Sequence, residues 1–282
     1  MPLKILYRGS LSSCNFSCEY CPFAKTKALK QQLQQDQTAL TRFVAWVADQ
    51  QQSMRLLFTP WGEALIWPYY QVALTQLSTI SHVQSLAIQT NLSGNLDWLT
   101  KMKVRKLTLW ASYHPSETTL DNFLTQCEQV ISAGAQLTVG VVGKKEHFTA
   151  IEQLHAQKPQ AASFWINAYK DVAHYYSDED ISFLQAKDRL FSSNLMDYPS
   201  KDKACASGET SFTVDGRGDM RRCHFIDTVI GNIYQQEYQR SLQPRNCSNK
   251  TCSCYIGYIH LKDLDFRKQL GENYFERFLL PE

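Results

Sequence analysis

Lys4-Ile5-Leu6-Tyr7-Arg8-Gly9-Ser10-Leu11-Ser12-Ser13-Cys14-Asn15-Phe16-Ser17-Cys18-Glu19-Tyr20-Cys21-Pro22 runs from a β-prone stretch, Lys4 to Leu11, into a loop carrying three cysteines at C-x3-C-x2-C spacing. Three thiolates on one loop can each take a different iron of a cubane iron–sulfur cluster, which leaves the fourth iron without a protein ligand. An open coordination position is where a substrate binds, as open zinc sites illustrate. Structural zinc sites use four protein ligands and tend to pair cysteines as C-x2-C, so a three-cysteine loop fits zinc poorly. Taken alone, the loop still admits a zinc site or a chance grouping.

Working outward, apolar β-prone runs alternate with helical periodicity over roughly the first 170 residues. Lys4 to Leu11 reads as the first strand, Gln37 to Gln50 as a helix and Arg55 to Thr59 as the second strand. Pro68 to Ile80 is helical, Gln84 to Gln89 a strand, Leu96 to Met102 a short helix and Lys106 to Ser112 the fourth strand. Ser116 to Ala133 follows as a helix with Ser116 as its expected cap. Gln136 to Val142 is a strand, Phe148 to Gln157 a helix and Ala162 to Tyr169 the sixth strand. Six βα units in succession predict the α/β class, with a parallel sheet and right-handed crossovers. Six strands suffice for a partial (β/α)6 TIM-like barrel, in which the active site gathers where the strands end. Cys14 follows strand one, Gly62 and Glu63 follow strand two, Asn91 follows strand three, and Ser112 and His114 close strand four.

The pattern changes near residue 200. Ser211 to Val214, Asp215-Gly216 and Asp219 to Cys223 read as a β-hairpin with a tight glycine turn. Of the nine cysteines, five lie beyond residue 204. The expected division is therefore a core over 1–200 and a small Cys-rich domain containing the hairpin over 201–282. Hydrophobic residues make up 44% and charged residues 20%, enough apolar material for a large core. The net charge of +2 gives nucleic-acid binding no support. Met1 to Ser10 has no apolar signal-peptide core, and no apolar run is long enough to span a membrane, so a cytoplasmic location is expected. Thiols stay reduced there, and the cysteines read as metal ligands rather than disulfides. Cys127, alone in an amphipathic helix, reads as a small core residue, and the glutamine-rich stretch 31–37 as an exposed loop or helix start.

With these residues in place, the C-x3-C-x2-C loop after a first strand resembles the hallmark of the radical S-adenosylmethionine (SAM) superfamily. Tyr20, the aromatic residue before the third cysteine, is also typical of it. Thr59-Pro60-Trp61-Gly62-Glu63 resembles the family's glycine-glycine-glutamate segment, which contacts the methionine amino group of SAM; Trp61 stands where the first glycine would be. Gln89-Thr90-Asn91 resembles the family's Thr-Asn strand end. Ser112 sits where a polar residue contacts the ribose, and His114 is either a further contact or a satisfied loop histidine. Val139 to Glu146 is a degenerate form of G-x-I-x-G-x-x-E, in which Gly143 and Glu146 match and Val141 would pack on adenine. Ile166 and Asn167 on strand six are weaker candidates for the adenine edge.

Cys205, then Gly218 to Cys223 as G-x4-C, then Ile230 to Ile233 and Cys247, Cys252 and Cys254 resemble the start of a SPASM domain or its shorter twitch form. The full SPASM cysteine pattern is missing. The resemblance therefore implies one auxiliary [4Fe-4S] cluster, with Cys205, Cys223, Cys252 and Cys254 as favoured ligands and Cys247 as a substitute; structural zinc is the competing occupant. It also implies reductive SAM cleavage at the cluster on Cys14, Cys18 and Cys21, yielding a 5′-deoxyadenosyl radical that takes hydrogen from a substrate. A peptide or protein is the first substrate class and a small molecule the second. The electron would come from an external low-potential donor such as a flavodoxin or ferredoxin. The reading from a different class is a non-catalytic iron–sulfur or zinc protein that serves as scaffold or electron carrier.

Overall fold

The computed structural model describes residues 1–23 and 26–279. Its spine is a nine-stranded sheet. Six strands run parallel and adjacent in chain order: β1 (Leu3–Gly9), β2 (Met54–Phe58), β3 (Val83–Thr90), β4 (Leu107–Tyr113), β5 (Gln136–Val142) and β6 (Ser163–Asn167). A parallel strand is covered on both faces, so it reads as a continuous apolar run. All five residues of β2 are buried accordingly.

Helices α1 (Lys30–Ala48), α2 (Pro68–Thr79), α3 (Leu120–Ser132) and α4 (Phe148–Gln157) connect these strands. On α1, Leu40, Phe43, Val44 and Val47 recur at helical spacing and are buried. The glutamine-rich stretch lies inside this helix. Pro68 occupies the first turn of α2, where its missing N–H costs nothing. The cap of α3 differs from the sequence expectation. Thr119 rather than Ser116 caps it, its side chain accepting from the Asn122 N–H, and the helix begins four residues later than expected. Cys127 is fully buried on α3.

The hairpin strands β7 (Ser211–Asp215) and β8 (Asp219–Arg221) are present, and β9 (Val229–Asn232) adds a third antiparallel strand. The sheet continues across residue 200, because β7 pairs in parallel with β1, from Lys4 with Ser211 to Gly9 with Asp215. The result is a mixed α/β fold with a large parallel sheet.

Side chains alternate across each strand, so the sheet has two distinct faces. Ile5, Tyr7, Leu56, Phe58, Leu137, Val139 and Val141 pack in the main core toward the helices. Leu6, Leu57, Ala87, Trp110 and Trp165 face the other way, onto Tyr255, Tyr258, Phe266 and Phe275 from the segment 255–279. That segment also closes a buried ion pair. The Arg55 guanidinium on β2 donates through Nε to Glu276 Oε1 at 2.9 Å and through Nη2 to Oε2. Leaving one partner of such a pair buried alone costs about 3 kcal/mol or more. Glu276→Ala should therefore lower the unfolding free energy by about 3 kcal/mol in urea titrations. A loss well under about 1 kcal/mol would show that the pair does not brace the fold. Among the described residues no helix is long and apolar enough to cross a membrane.

Candidate functional site

A cavity of about 200 Å³ opens at the ends of β2, β3 and β4, walled by the cysteine loop and floored by Trp110 and Trp165. Cys14, Cys18 and Cys21 all line it, together with Gly62, Glu63, Asn91, Ser112 and His114. The loop is seated by polar contacts that do not use the thiols. Ser12–Ser13 pairs in parallel with Trp61–Gly62, and the Glu63 N–H donates to Ser13 O at 3.0 Å. Asn91 Nδ2 donates to Asn15 Oδ1 at 3.0 Å, Asn15 Nδ2 to Ser93 Oγ at 2.9 Å, and the Ser17 N–H to Glu117 at 3.1 Å.

Gly62 is where the loop crosses the end of β2. Its φ is +133°, and a Cβ there would lie 1.8 Å from Ser13 O. Only glycine permits that approach.

Glu63 is fully buried. Its carboxylate accepts from the Leu65 N–H and Thr90 Oγ1, both at 2.8 Å, and from the Asn91 N–H. It thereby holds the end of β3 in place. Burial pushes its pKa up to about 7, against the pull of those three donors. The sign follows: an acid whose folded pKa is raised binds its proton more tightly when folded. The associated stability is present below the unfolded value near 4.5 and is lost as pH rises to about 7. Glu63→Gln should flatten the fall in unfolding free energy between those limits, and an unchanged pH slope would rule this out.

The thiols fit a cationic metal group. Burial raises Cys14 and pushes Cys18 to about 12, and the neighbouring thiols raise both further. Three soft thiolates become stable together only when a cation such as iron draws them. The Phe16 N–H points at Cys14 Sγ, 3.4 Å away. Among the described residues no three His, Cys, Asp or Glu side chains gather closely enough to hold a single metal ion.

Not every residue expected at the site reaches it. Val141 faces the helices in the main core, and Gly143 sits beyond the cavity against Ile166, Tyr176 and Leu184. On β5 the residues facing the cavity side are Thr138 and Gly140, and Trp165 packs so closely on Gly140 that a Cβ there would lie 1.9 Å from the indole. Tyr20 stacks on His114, which is itself at the cavity wall. Trp110 and Trp165 are both core and lining. Phe16, Ser17 and Gln89 line the cavity without having been singled out; Gln89 stands two residues before Asn91, a spacing that puts both on one face.

A second set of thiols lies beyond the hairpin. Burial pushes Cys223 to about 11 and Cys252 to about 12. Cys205 and Cys247 are within electrostatic reach of both. Arg222 knits the surrounding loops, donating through Nε to Ser207 O at 3.0 Å and through Nη2 to Arg245 O at 2.8 Å. The charge of Cys254 also reaches Cys252, and Arg8, Arg277 and Lys170 act on Cys254 in turn. Arg277 is buried against Trp165 and Tyr255, 4.6 and 4.4 Å from their ring centroids. Among the described residues its N–H groups have no hydrogen-bond partner; Nη2 lies 3.8 Å from Asp188 Oδ2, and the π faces cover the guanidinium.

No protein-family model matches the sequence, and no curated protein matches it. Solved structures do match. Streptococcus suis SuiB superposes with a TM-score of 0.57 at 15% identity over 86% of this chain and 66% of that one. SuiB bound to its precursor peptide SuiA matches with a TM-score of 0.56 at 14% identity, over 86% of this chain and 65% of that one. Native anSMEcpe with bound AdoMet and the Cp18Cys peptide gives 0.56 at 14% identity, over 99% of this chain and 89% of that one. The chain shares the fold of SuiB and anSMEcpe. The chain spans a little under two thirds of the length of SuiB. Within this shared fold, the cavity at Cys14, Cys18 and Cys21 lies at the strand ends, where parallel α/β sheets bind their ligands.

Proposed function

We propose that the protein is a radical SAM enzyme in which Cys14, Cys18 and Cys21 hold a [4Fe-4S] cluster and the adjoining cavity holds SAM. One observation carries this reading. Cysteines from the first βα loop share a single cavity with Gly62-Glu63, Asn91 and Ser112 from the ends of the next three strands. A cluster held by Cys14, Cys18 and Cys21 would supply the one-electron reducing chemistry for cleaving SAM at its C5′–S bond and starting hydrogen abstraction from a substrate. The chain's own part is to bind, orient and exclude water. Gly62 leaves backbone open to the methionine amino group, and Glu63 fixes the Thr90-Asn91 turn beside it. Ser112 presents a hydroxyl for the ribose, and Tyr20 backs His114 at the cavity wall beside Cys18.

Cys205, Cys223, Cys252 and Cys254 are the proposed ligands of one auxiliary [4Fe-4S] cluster, with Cys247 as the substitute, since the charges of Cys223, Cys247, Cys254 and Cys205 all reach Cys252. A peptide or protein is the favoured substrate, since SuiB and anSMEcpe both match here in peptide-bound structures. The electron comes from an external flavodoxin- or ferredoxin-like donor, which places the reaction in the reducing cytoplasm.

The test is SAM cleavage. Anaerobically reconstituted protein, given SAM and dithionite, should form 5′-deoxyadenosine, quantified by chromatography. Protein that carries iron and sulfide yet forms none, with or without a candidate peptide, would instead be a scaffold or electron carrier. Protein that binds zinc in place of iron would overturn the assignment.

A further inference from the structure

Cys18 is the most enclosed of the three loop cysteines, and it alone has an aromatic hydroxyl and an imidazole beside its sulfur. His114 Nδ1 lies 3.3 Å from Cys18 Sγ and 2.8 Å from the Tyr20 hydroxyl. The two rings stack with centroids 5.9 Å apart at an interplanar angle of 18°. Tyr20 is pinned further by His147, edge-on at 5.4 Å, and by Lys144, whose Nζ lies 5.4 Å from the ring centroid. The triangle of Sγ, Nδ1 and hydroxyl is therefore held by packing on both sides.

We infer that His114, steadied by the Tyr20 hydroxyl 2.8 Å from its Nδ1, and Tyr20 act as a pair of positioning residues that direct the His114 N–H onto the Cys18 sulfur and set the reduction potential of the cluster bound there. The inference rests on the cluster assignment proposed above. A metal-bound thiolate only accepts hydrogen bonds, so an Nδ1 facing it at 3.3 Å must carry its hydrogen. That choice fixes the His114 tautomer, leaves Nε2 bare, and turns the Tyr20 hydrogen away from Nδ1, which can no longer accept it. The other two sulfurs are served differently. Cys14 receives the Phe16 N–H at 3.4 Å and lies 3.9 Å from Asn91 Nδ2, and among the described residues Cys21 Sγ has the Phe23 carbonyl at 3.6 Å. A carbonyl cannot donate, so Cys21 loses that contact once it is a thiolate. Donors to a cluster sulfur stabilise the reduced, more negative state over the oxidised one and raise the potential. The pair on Cys18 is thus the strongest lever on the potential among the described contacts of the loop.

The experiment is an anaerobic redox titration followed by electron paramagnetic resonance. It tracks the reduced-cluster signal that changes when SAM is added, which separates the N-terminal cluster from an auxiliary one. His114→Leu should shift that midpoint to more negative potential. Tyr20→Phe should shift it in the same direction by less, and His114→Asn, which keeps a donor near the Nδ1 position, should lie close to wild type. His114→Leu titrating at the wild-type midpoint overturns the inference. Where His114→Leu assembles no cluster, Tyr20→Phe carries the same decision, and an unchanged midpoint there overturns it too. Wild type that forms no SAM-responsive cluster would refute the cluster assignment instead, a result distinct from either.

Discussion

Cys14, Cys18 and Cys21 replaced together by alanine should bring 5′-deoxyadenosine formation down to the uncatalysed level, a loss on the order of 10⁶-fold or more. Iron and sulfide should fall by one cluster's worth, with the auxiliary complement retained. The fold should survive, because the loop is seated by contacts other than the thiols: Glu63 N–H to Ser13 O, Asn91 to Asn15, Asn15 to Ser93, and Ser17 N–H to Glu117. Circular dichroism and the urea midpoint should therefore stay near wild type, which separates lost chemistry from lost structure. A triple variant that still cleaves SAM, or that keeps its full iron content, would move the reaction to another site.

Gly62→Ala should have the next largest effect, and by another route. The new Cβ would lie 1.8 Å from Ser13 O and 2.4 Å from Ser13 C, atoms of backbone that cannot swing aside. Gly62 also sits at φ +133°, where an L side chain is strained whatever the space. Ser13 directly precedes Cys14, so relieving the clash displaces the cysteine loop from the cavity. A displacement of about 1 Å at reacting groups costs on the order of 10²-fold. We expect SAM affinity and the rate of 5′-deoxyadenosine formation to fall together by at least about that factor. Overpacking should lower stability by about 1–3 kcal/mol. Undiminished turnover in Gly62→Ala would mean that this crossing does not govern the site.

Much of this architecture is legible in the residues themselves, for a physical reason. Strands buried on both faces leave uninterrupted apolar runs, as at Met54–Phe58, and the helices between them carry their own periodicity. The cysteines, Gly62-Glu63, Asn91 and Ser112 are legible because strand ends are where parallel sheets expose side chains to a common space. Val141 shows where such reading stops. A motif match identifies the strand end but not the face, and on β5 the odd-numbered residues face the helices. Strand β9 was hidden because Ile230-Gly231-Asn232-Ile233 looks like a turn; Gly231 has Ser241 Oγ only 2.4 Å from where a Cβ would stand, a tertiary fact with no local signature. Nothing local to Tyr255–Leu279 announces that it will fold onto the sheet, since its aromatic residues are matched only by Trp110 and Trp165 far upstream.

The placement of β1 has a consequence for how the molecule is made. Its neighbours are Met54–Phe58 on one side and Ser211–Asp215 on the other. Synthesis at about 5–20 residues per second therefore leaves one edge of the first strand without a partner for roughly ten to forty seconds while the chain emerges. An unpaired strand edge is a template for pairing with other chains, and three free thiols follow directly behind this one. Each nascent molecule thus passes through an interval in which its most reactive loop and its stickiest edge are exposed together. Slowing translation would lengthen that interval.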